Sequence, residues 1–227
     1  MFLVYGTGTP LTYVYNVSAV CYTIQRETME NTTVSENFEG DSFEDRSFQD
    51  LDLNKLDISR KEFTDCIFKN CSFNECKLTG SVFVDCTFKN CSLANIKADN
   101  CSFQQTLFED CRLIGIVFSS INQSLLSWAF KKCRIELCNF SNLKIKGSKF
   151  SACTIKATDF MNIDLSGADF SDSDLAGSRF SKANLEKSDF SGAFNYYIDP
   201  TENRIKKAKF SSPEVLSLLA AFEIKIE

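Results

Sequence analysis

The chain has 227 residues, 44% of them hydrophobic, with 22 phenylalanines against one tryptophan and six tyrosines. That apolar mass suffices for one domain or one elongated array with its own core. A net charge of −5 argues against a generic nucleic-acid binder, and the absence of histidine removes the commonest general base, metal ligand and partner for a nucleophilic Ser or Cys.

Residues 1–35 precede the periodic part. No charge occurs before Arg26, and Gly6, Gly8 and Pro10 interrupt the apolar stretch. A signal peptide has a basic start and an unbroken apolar centre, and this stretch is also too interrupted for a membrane span, so neither pattern fits. The segment reads as a disordered or strand-like extension, or as sequence lying ahead of a natural start at Met29. The Asn-x-Ser/Thr triplets at Asn16, Asn31 and Asn70 read as chance matches.

Over residues 36–120 every fifth residue is apolar: Phe38, Phe43, Phe48, Leu53, Ile58, Phe63 and onward to Phe118. Neither a helix nor a flat strand has that period. A pitch of five sustained this long means a solenoid. Residues 121–127 (INQSLLS) break the phase, because Phe118 and Phe130 are 12 apart, two repeats plus two residues. A bulge or short loop is expected there. Trp128, in a small-residue slot just after the break, reads as a plug for a widened coil. The second block, 128–195, runs Phe130, Ile135, Phe140, Ile145, Phe150 and onward to Phe190. In the tail, 196–227, Ser211 and Glu214 have capping-box spacing with Pro213 between them, and Val215, Leu218, Leu219 and Phe222 follow with helical spacing. A short amphipathic helix is predicted, then an edge strand over EIKIE.

Residue types recur at 20 more clearly than at five: Phe43, Phe63, Phe83, Phe103 form one column and Phe48, Phe68, Phe88, Phe108 the next. Four five-residue sides per coil explain this, each Phe stacking on its counterpart at the sheet spacing of about 4.8 Å. Ten of the 11 cysteines lie two residues before a fifth-position residue, a slot shared with Ala168, Ser173 and Thr158; only Cys21 falls outside. They read as small core fillers, reduced, since parallel Cβ vectors about 4.8 Å apart exceed the roughly 3.8 Å a disulfide prefers. No CxxC pair suggests zinc.

The stretches ADFSD, SDLAG, ANLEK and SDFSG (168–192), with CIFKN, CSFNE and CTFKN earlier, resemble the A(D/N)LXX motif of the pentapeptide repeat family over about 36–195. The resemblance implies an all-β, right-handed quadrilateral β-helix with a short C-terminal capping helix and strand. The tail NYYIDPTENRIKKAKFSSPEVLSLLAAFEIKIE is similar to that of the bacterial quinolone-resistance (Qnr) branch. That similarity implies a cytoplasmic homodimer joined at its C-terminal ends, with Val215, Leu216, Leu218, Leu219 and Phe222 as dimerisation residues. It also implies a non-enzymatic DNA mimic that binds a type II topoisomerase such as DNA gyrase and protects it from quinolones, without a cofactor, membrane contact or direct nucleic-acid binding. Many protective members carry long projecting loops; this chain has only the seven-residue break.

Charge is uneven. From Glu30 to Phe118 there are 16 acidic and 9 basic residues; from Ser119 to Glu227 there are 13 and 15. Lys131, Lys132, Arg134, Lys144, Lys146, Lys149 and Lys156 form a basic belt after the break. Asp45, Asp65 and Asp85 are expected to stack in a ladder, as are Asp169 and Asp189; these five are the candidate partner-binding residues. Asn70 and Asn90 are expected to form a neighbouring amide ladder. No catalytic constellation stands out, because solenoid faces space their carboxylates regularly with no pocket to shift a pKa. The rival reading is a rigid scaffold for another protein without DNA mimicry. A continuous negative stripe favours mimicry, and a patchwork of charge favours the scaffold.

Overall fold

The computed structural model describes residues 38–225. The expectations for residues 1–35, Cys21 among them, lie outside the described residues. The chain divides into two compact units, Met1–Glu39 and Gly40–Glu227. The second unit is a β-solenoid of about eight turns built from short parallel strands.

Each five-residue segment makes one side. Its middle residue points inward from a three-residue strand, as in Ser42–Glu44 and Ser47–Gln49, where only the central Phe is buried. Two residues later the backbone enters the left-handed region: φ is 51° at Asp45, 56° at Asp50, 61° at Lys55 and 59° at Arg60. That corner turns the chain onto the next side. Left-handed backbone is disfavoured for side chains with a Cβ, and Asn, Asp and Gly tolerate it best. Corner chemistry therefore accounts for many of the Asp, Asn and Gly residues in the repeat.

Four faces result. The first is centred on Phe43, Phe63, Phe83 and Phe103, which pair in register. On the second, Phe48, Phe68, Phe88, Phe108, Phe130, Phe150, Phe170, Phe190 and Phe210 form one unbroken stack, with ring centroids 4.8 to 5.1 Å apart and planes within 15°. The third face contributes Leu53, Phe73, Leu93, Leu113, Ile135, Ile155 and Leu175. The fourth contributes Ile58, Leu78, Ala98, Phe118, Phe140, Phe160 and Phe180. All of these side chains are buried except Phe210 at the end of the second stack, which is half-buried. Before the break the phenylalanines occupy adjacent faces and meet edge to face, as Phe43 and Phe48 do at 5.9 Å. After it they occupy opposite faces and meet edge to face across the centre, as Phe140 and Phe150 do at 5.8 Å. Most coils thus hold two rings and two aliphatic side chains, which keeps the core volume nearly constant.

The break behaves as the phase shift predicts. The register is 20 in the first block and 22 across residues 121–127, where Leu107 pairs with Ala129 and Leu113 with Ile135. Gln123, at the inward place of that side, is exposed. Trp128 fills the gap: it is 3% exposed, packs 5.3 Å from Phe118, and donates its indole N–H to the Phe103 carbonyl at 2.9 Å. A second irregularity was not foreseen. Phe180 bridges Ile198 at a spacing of 18, and buried Tyr196 packs there against Phe190 and Phe210 at 5.9 and 5.6 Å. Both departures from 20 are plugged by a large aromatic in a slot that elsewhere holds a small or aliphatic residue.

The tail differs in detail from expectation. Its helix is of the 3₁₀ type, Glu214–Phe222, and no side chain caps its start. Ser211 Oγ instead accepts the Gly192 N–H at 2.9 Å, so the expected capping box does not form. Glu223 ends the helix in the left-handed region, and Glu223–Lys225 form no strand. The last two residues of EIKIE lie outside the described residues.

Candidate binding faces

The small inward slot does more than save space. Cys71, Cys91, Cys111 and Cys133 donate their thiols to the carbonyls of Phe48, Phe68, Phe88 and Phe108 at 3.3 to 3.5 Å. Ser81, Ser178 and Ser188 donate hydroxyls to the carbonyls of Ile58, Ile155 and Leu165 in the same way, at 2.7 to 3.0 Å. At these positions the slot supplies a hydrogen bond to the preceding coil as well as filling space, whereas Ala168, Ala183 and Ala193 fill it with no side-chain donor. All ten described cysteines are buried and free. Burial pushes the thiols of Cys76 and Cys86 up to about 12 and that of Cys138 up to about 11.

Asp45, Asp65 and Asp85 do share one column, at the corner of the first face. Their backbones have φ of 51° to 52°, and their amides donate to Thr64, Val84 and Gln104 carbonyls at 3.0 to 3.1 Å. The three side chains are exposed. Together with exposed Glu44 and Glu62 they make an acidic stretch whose carboxylates enter no ion pair among the described residues. The column continues through Gln105, Gly147, Gly167, Lys187 and Lys207, all in the left-handed region; in the coil of the break between them Leu125 takes that conformation, while Ser127 stands in register with Gln105 and Gly147. The charge along this corner therefore changes sign from one end of the rod to the other.

Asp169 and Asp189 are also brought together, on the second face, but each is engaged. They bridge each other in register, with Lys149 before them and Lys209 after. Each accepts the amide two residues on, from Ser171 and Ser191 at 2.9 Å, and Asp189 also takes Lys209 at 2.9 Å. The Ser191 hydrogen bonds and Lys209 hold the Asp189 carboxyl down to about 2. The amide ladder is present as well: Asn90 donates to Asn70 at 2.9 Å and Asn70 to Asp50 at 2.7 Å.

At several other places an acid is paired with a base, mostly on a neighbouring coil. Lys89 and Lys131 clamp Glu109 at 3.0 and 3.3 Å, Arg179 holds Asp159 with two bonds, and Arg204 meets Glu186 at 2.8 Å. The faces are thus a patchwork rather than one negative stripe. At the basic end of the first face a groove of about 660 Å³ is lined by Lys146, Asp164, Glu186, Lys187 and Arg204 among others. Its carboxylates are occupied by Lys146 and Arg204, at 3.3 and 2.8 Å. No group of three metal-ligating side chains occurs among the described residues. No described helix is long and apolar enough to cross a membrane.

The five residues expected at a C-terminal interface separate. Leu218 is buried within the chain, and Val215 and Leu219 are half-buried. Leu216 and Phe222 are 44% and 53% exposed, and Ile224 beside them is 54% exposed.

A four-sided solenoid with inward Leu or Phe and left-handed corners defines a class of repeat protein, and the comparisons name it. Two family models match: a pentapeptide repeat region over residues 119–190, and pentapeptide repeats (9 copies) over residues 63–104. The chain belongs to the pentapeptide repeat family. It is similar in fold to a trypsin-treated variant of QnrB1, a plasmid-mediated fluoroquinolone resistance protein, with TM-score 0.61 and 19% identity over 82% of this chain and 90% of that one. A second trypsin-treated QnrB1 variant aligns at TM-score 0.48 and 22% identity over 84% and 93%. HetL, a pentapeptide repeat protein involved in heterocyst differentiation regulation from the cyanobacterium Nostoc sp. Strain PCC 7120, aligns at TM-score 0.37 and 10% identity over 75% and 90%. No curated protein matches.

Proposed function

We propose that this chain is a non-enzymatic binding rod that engages another protein through its flat, patterned faces. The observation that carries this reading is the unbroken Phe48-to-Phe210 stack, which holds every outward side chain on a preordered sheet face. A surface ordered before binding loses little conformational entropy on docking. Regularly spaced charges, some of them paired between coils, suit recognition of a complementary patterned surface better than catalysis.

A more specific reading is favoured by the acids at Asp45, Asp65 and Asp85. Three carboxylates in one column, in no ion pair among the described residues, offer a DNA-binding groove a substitute for phosphates. Together with the QnrB1-like fold, this points to the DNA site of a type II topoisomerase such as gyrase, with quinolone protection as the outcome. The mimicry spans three coils rather than the whole rod. On this reading the protein is cytoplasmic, does not bind nucleic acid itself, and pairs end to end through Leu216 and Phe222.

The test is binding of purified gyrase to the full chain and to Asp45→Lys/Asp65→Lys/Asp85→Lys, alongside supercoiling with and without a fluoroquinolone. Binding lost in the variant supports the topoisomerase reading. No binding and no effect on supercoiling or drug action removes it. The broader reading falls if host lysate yields no protein held by the wild type and released by face substitutions.

A further inference from the structure

The first-face corner column reads Asp45, Asp65, Asp85, Gln105, then the coil of the break, where Leu125 makes the left-handed turn two residues before Ser127 in register with Gln105 and Gly147, then Gly147, Gly167, Lys187, Lys207. Leu125 is its midpoint, with four corners on either side. Read from the two ends inward, Asp45 corresponds to Lys207, Asp65 to Lys187, Asp85 to Gly167 and Gln105 to Gly147. The flanking outward positions repeat the pattern, Glu44 and Glu62 at one end and Lys206 at the other, where Arg204 is already held by Glu186 at 2.8 Å. Leu125 itself is 77% exposed and in the left-handed region at φ 56°, an uncommon setting for a bulky apolar residue.

We propose that the first face docks onto the first face of a second copy, antiparallel, about a two-fold axis at Leu125. In an isologous pair residue i meets j while j meets i, so a face acidic at one end and basic at the other complements itself when reversed. Asp45 and Glu44 then meet Lys207 and Lys206, Asp65 meets Lys187, and the two Leu125 side chains pack together at the centre. Asp85 meets Gly167, beside Asp164, whose charge Lys146 already holds at 3.3 Å. Eight coil steps of about 4.8 Å along a side about 16 Å wide give roughly 600 Å² per copy, near the lower bound for a specific interface. The pairing goes beyond the binding-rod reading and uses a different surface from the exposed apolar end at Leu216 and Phe222.

The experiment uses the full chain with Cys21→Ser and Leu125→Cys, the remaining cysteines being buried. A short bis-maleimide reports proximity at the axis. Crosslinked dimer is expected at about 0.01 M ionic strength and a roughly tenfold lower yield at about 1 M, where the Debye length falls from 30 to 3 Å. Asp45→Lys/Asp65→Lys on that background loses the crosslink, and so does Lys187→Glu/Lys207→Glu. These corners accept the exchange, since lysine and glutamate already occupy the same conformation at Lys55 and Glu75. Mixing the two variants restores the crosslink as a heterodimer, because each reversed corner of one then meets its opposite charge on the other. Leu216→Asp/Phe222→Asp leaves it intact. Absence of the crosslink at low salt, indifference to either charge reversal, or failure of the mixture to recover it overturns the proposal.

Discussion

Truncating Phe88 to Ala tests the stacked core directly. Phe88 is 0% exposed and lies between Phe68 at 4.8 Å and Phe108 at 5.0 Å, with Phe73 and Phe83 against it at 5.7 and 5.5 Å. Removing a buried Phe costs about 3–5 kcal/mol, and losing two stacked partners in a core that cannot collapse between hydrogen-bonded coils places this site near the top of that range. For a chain of this size about 4–5 kcal/mol lowers the melting temperature by roughly 8–20 °C. Phe210 is the internal control. It ends the same column, is half-buried, and has one stacked neighbour, Phe190, at 5.1 Å. Half the burial and one stack predict about 2 kcal/mol for Phe210→Ala. Urea and thermal unfolding followed by circular dichroism measure both. If Phe88→Ala costs no more than Phe210→Ala, stacking through the coil centre is not what holds the rod together.

Trp128→Phe keeps a ring at the phase break but strands the Phe103 carbonyl, so a loss of about 1–3 kcal/mol is expected in urea unfolding; a change below about 0.5 kcal/mol would contradict the plug. Acid should destabilise the rod through its depressed carboxyls. Asp189, held near 2 in the fold against about 4 unfolded, contributes stability that is fully present above pH 4 and lost as pH falls toward 2. Asp50, Asp57 and Asp174 are shifted the same way by Asn70, Ser59 and, against burial, Asn195. Melting temperature should fall over pH 4 to 2, less steeply in Asp189→Asn; a flat profile would show these bonds to be inconsequential.

The period of five was enough to determine the inward residues, the coil of 20, and the location of the interruption, because each depends only on local spacing repeated many times. Phe43 over Phe63, the Asp45–Asp65–Asp85 column and the plug role of Trp128 all followed from counting. What counting could not supply depends on which coil lies above which. Asp189 is neutralised by Lys209, 20 residues on, and Glu109 by Lys89 and Lys131 on the coils either side of it, so a row of acids became a patchwork. Tyr196 occupies its slot because the chain shortens one side and lengthens the next, a compensation invisible in the local pattern. Leu218 was separated from Leu216 by the tail folding back as a 3₁₀ helix, which aims side chains differently from the α-helix their spacing suggested. Leu125 gained meaning only from its place midway along a corner column whose charge reverses around it. Local sterics write the corners and the core into the sequence; the pairing of charges across coils exists only once the coils are stacked.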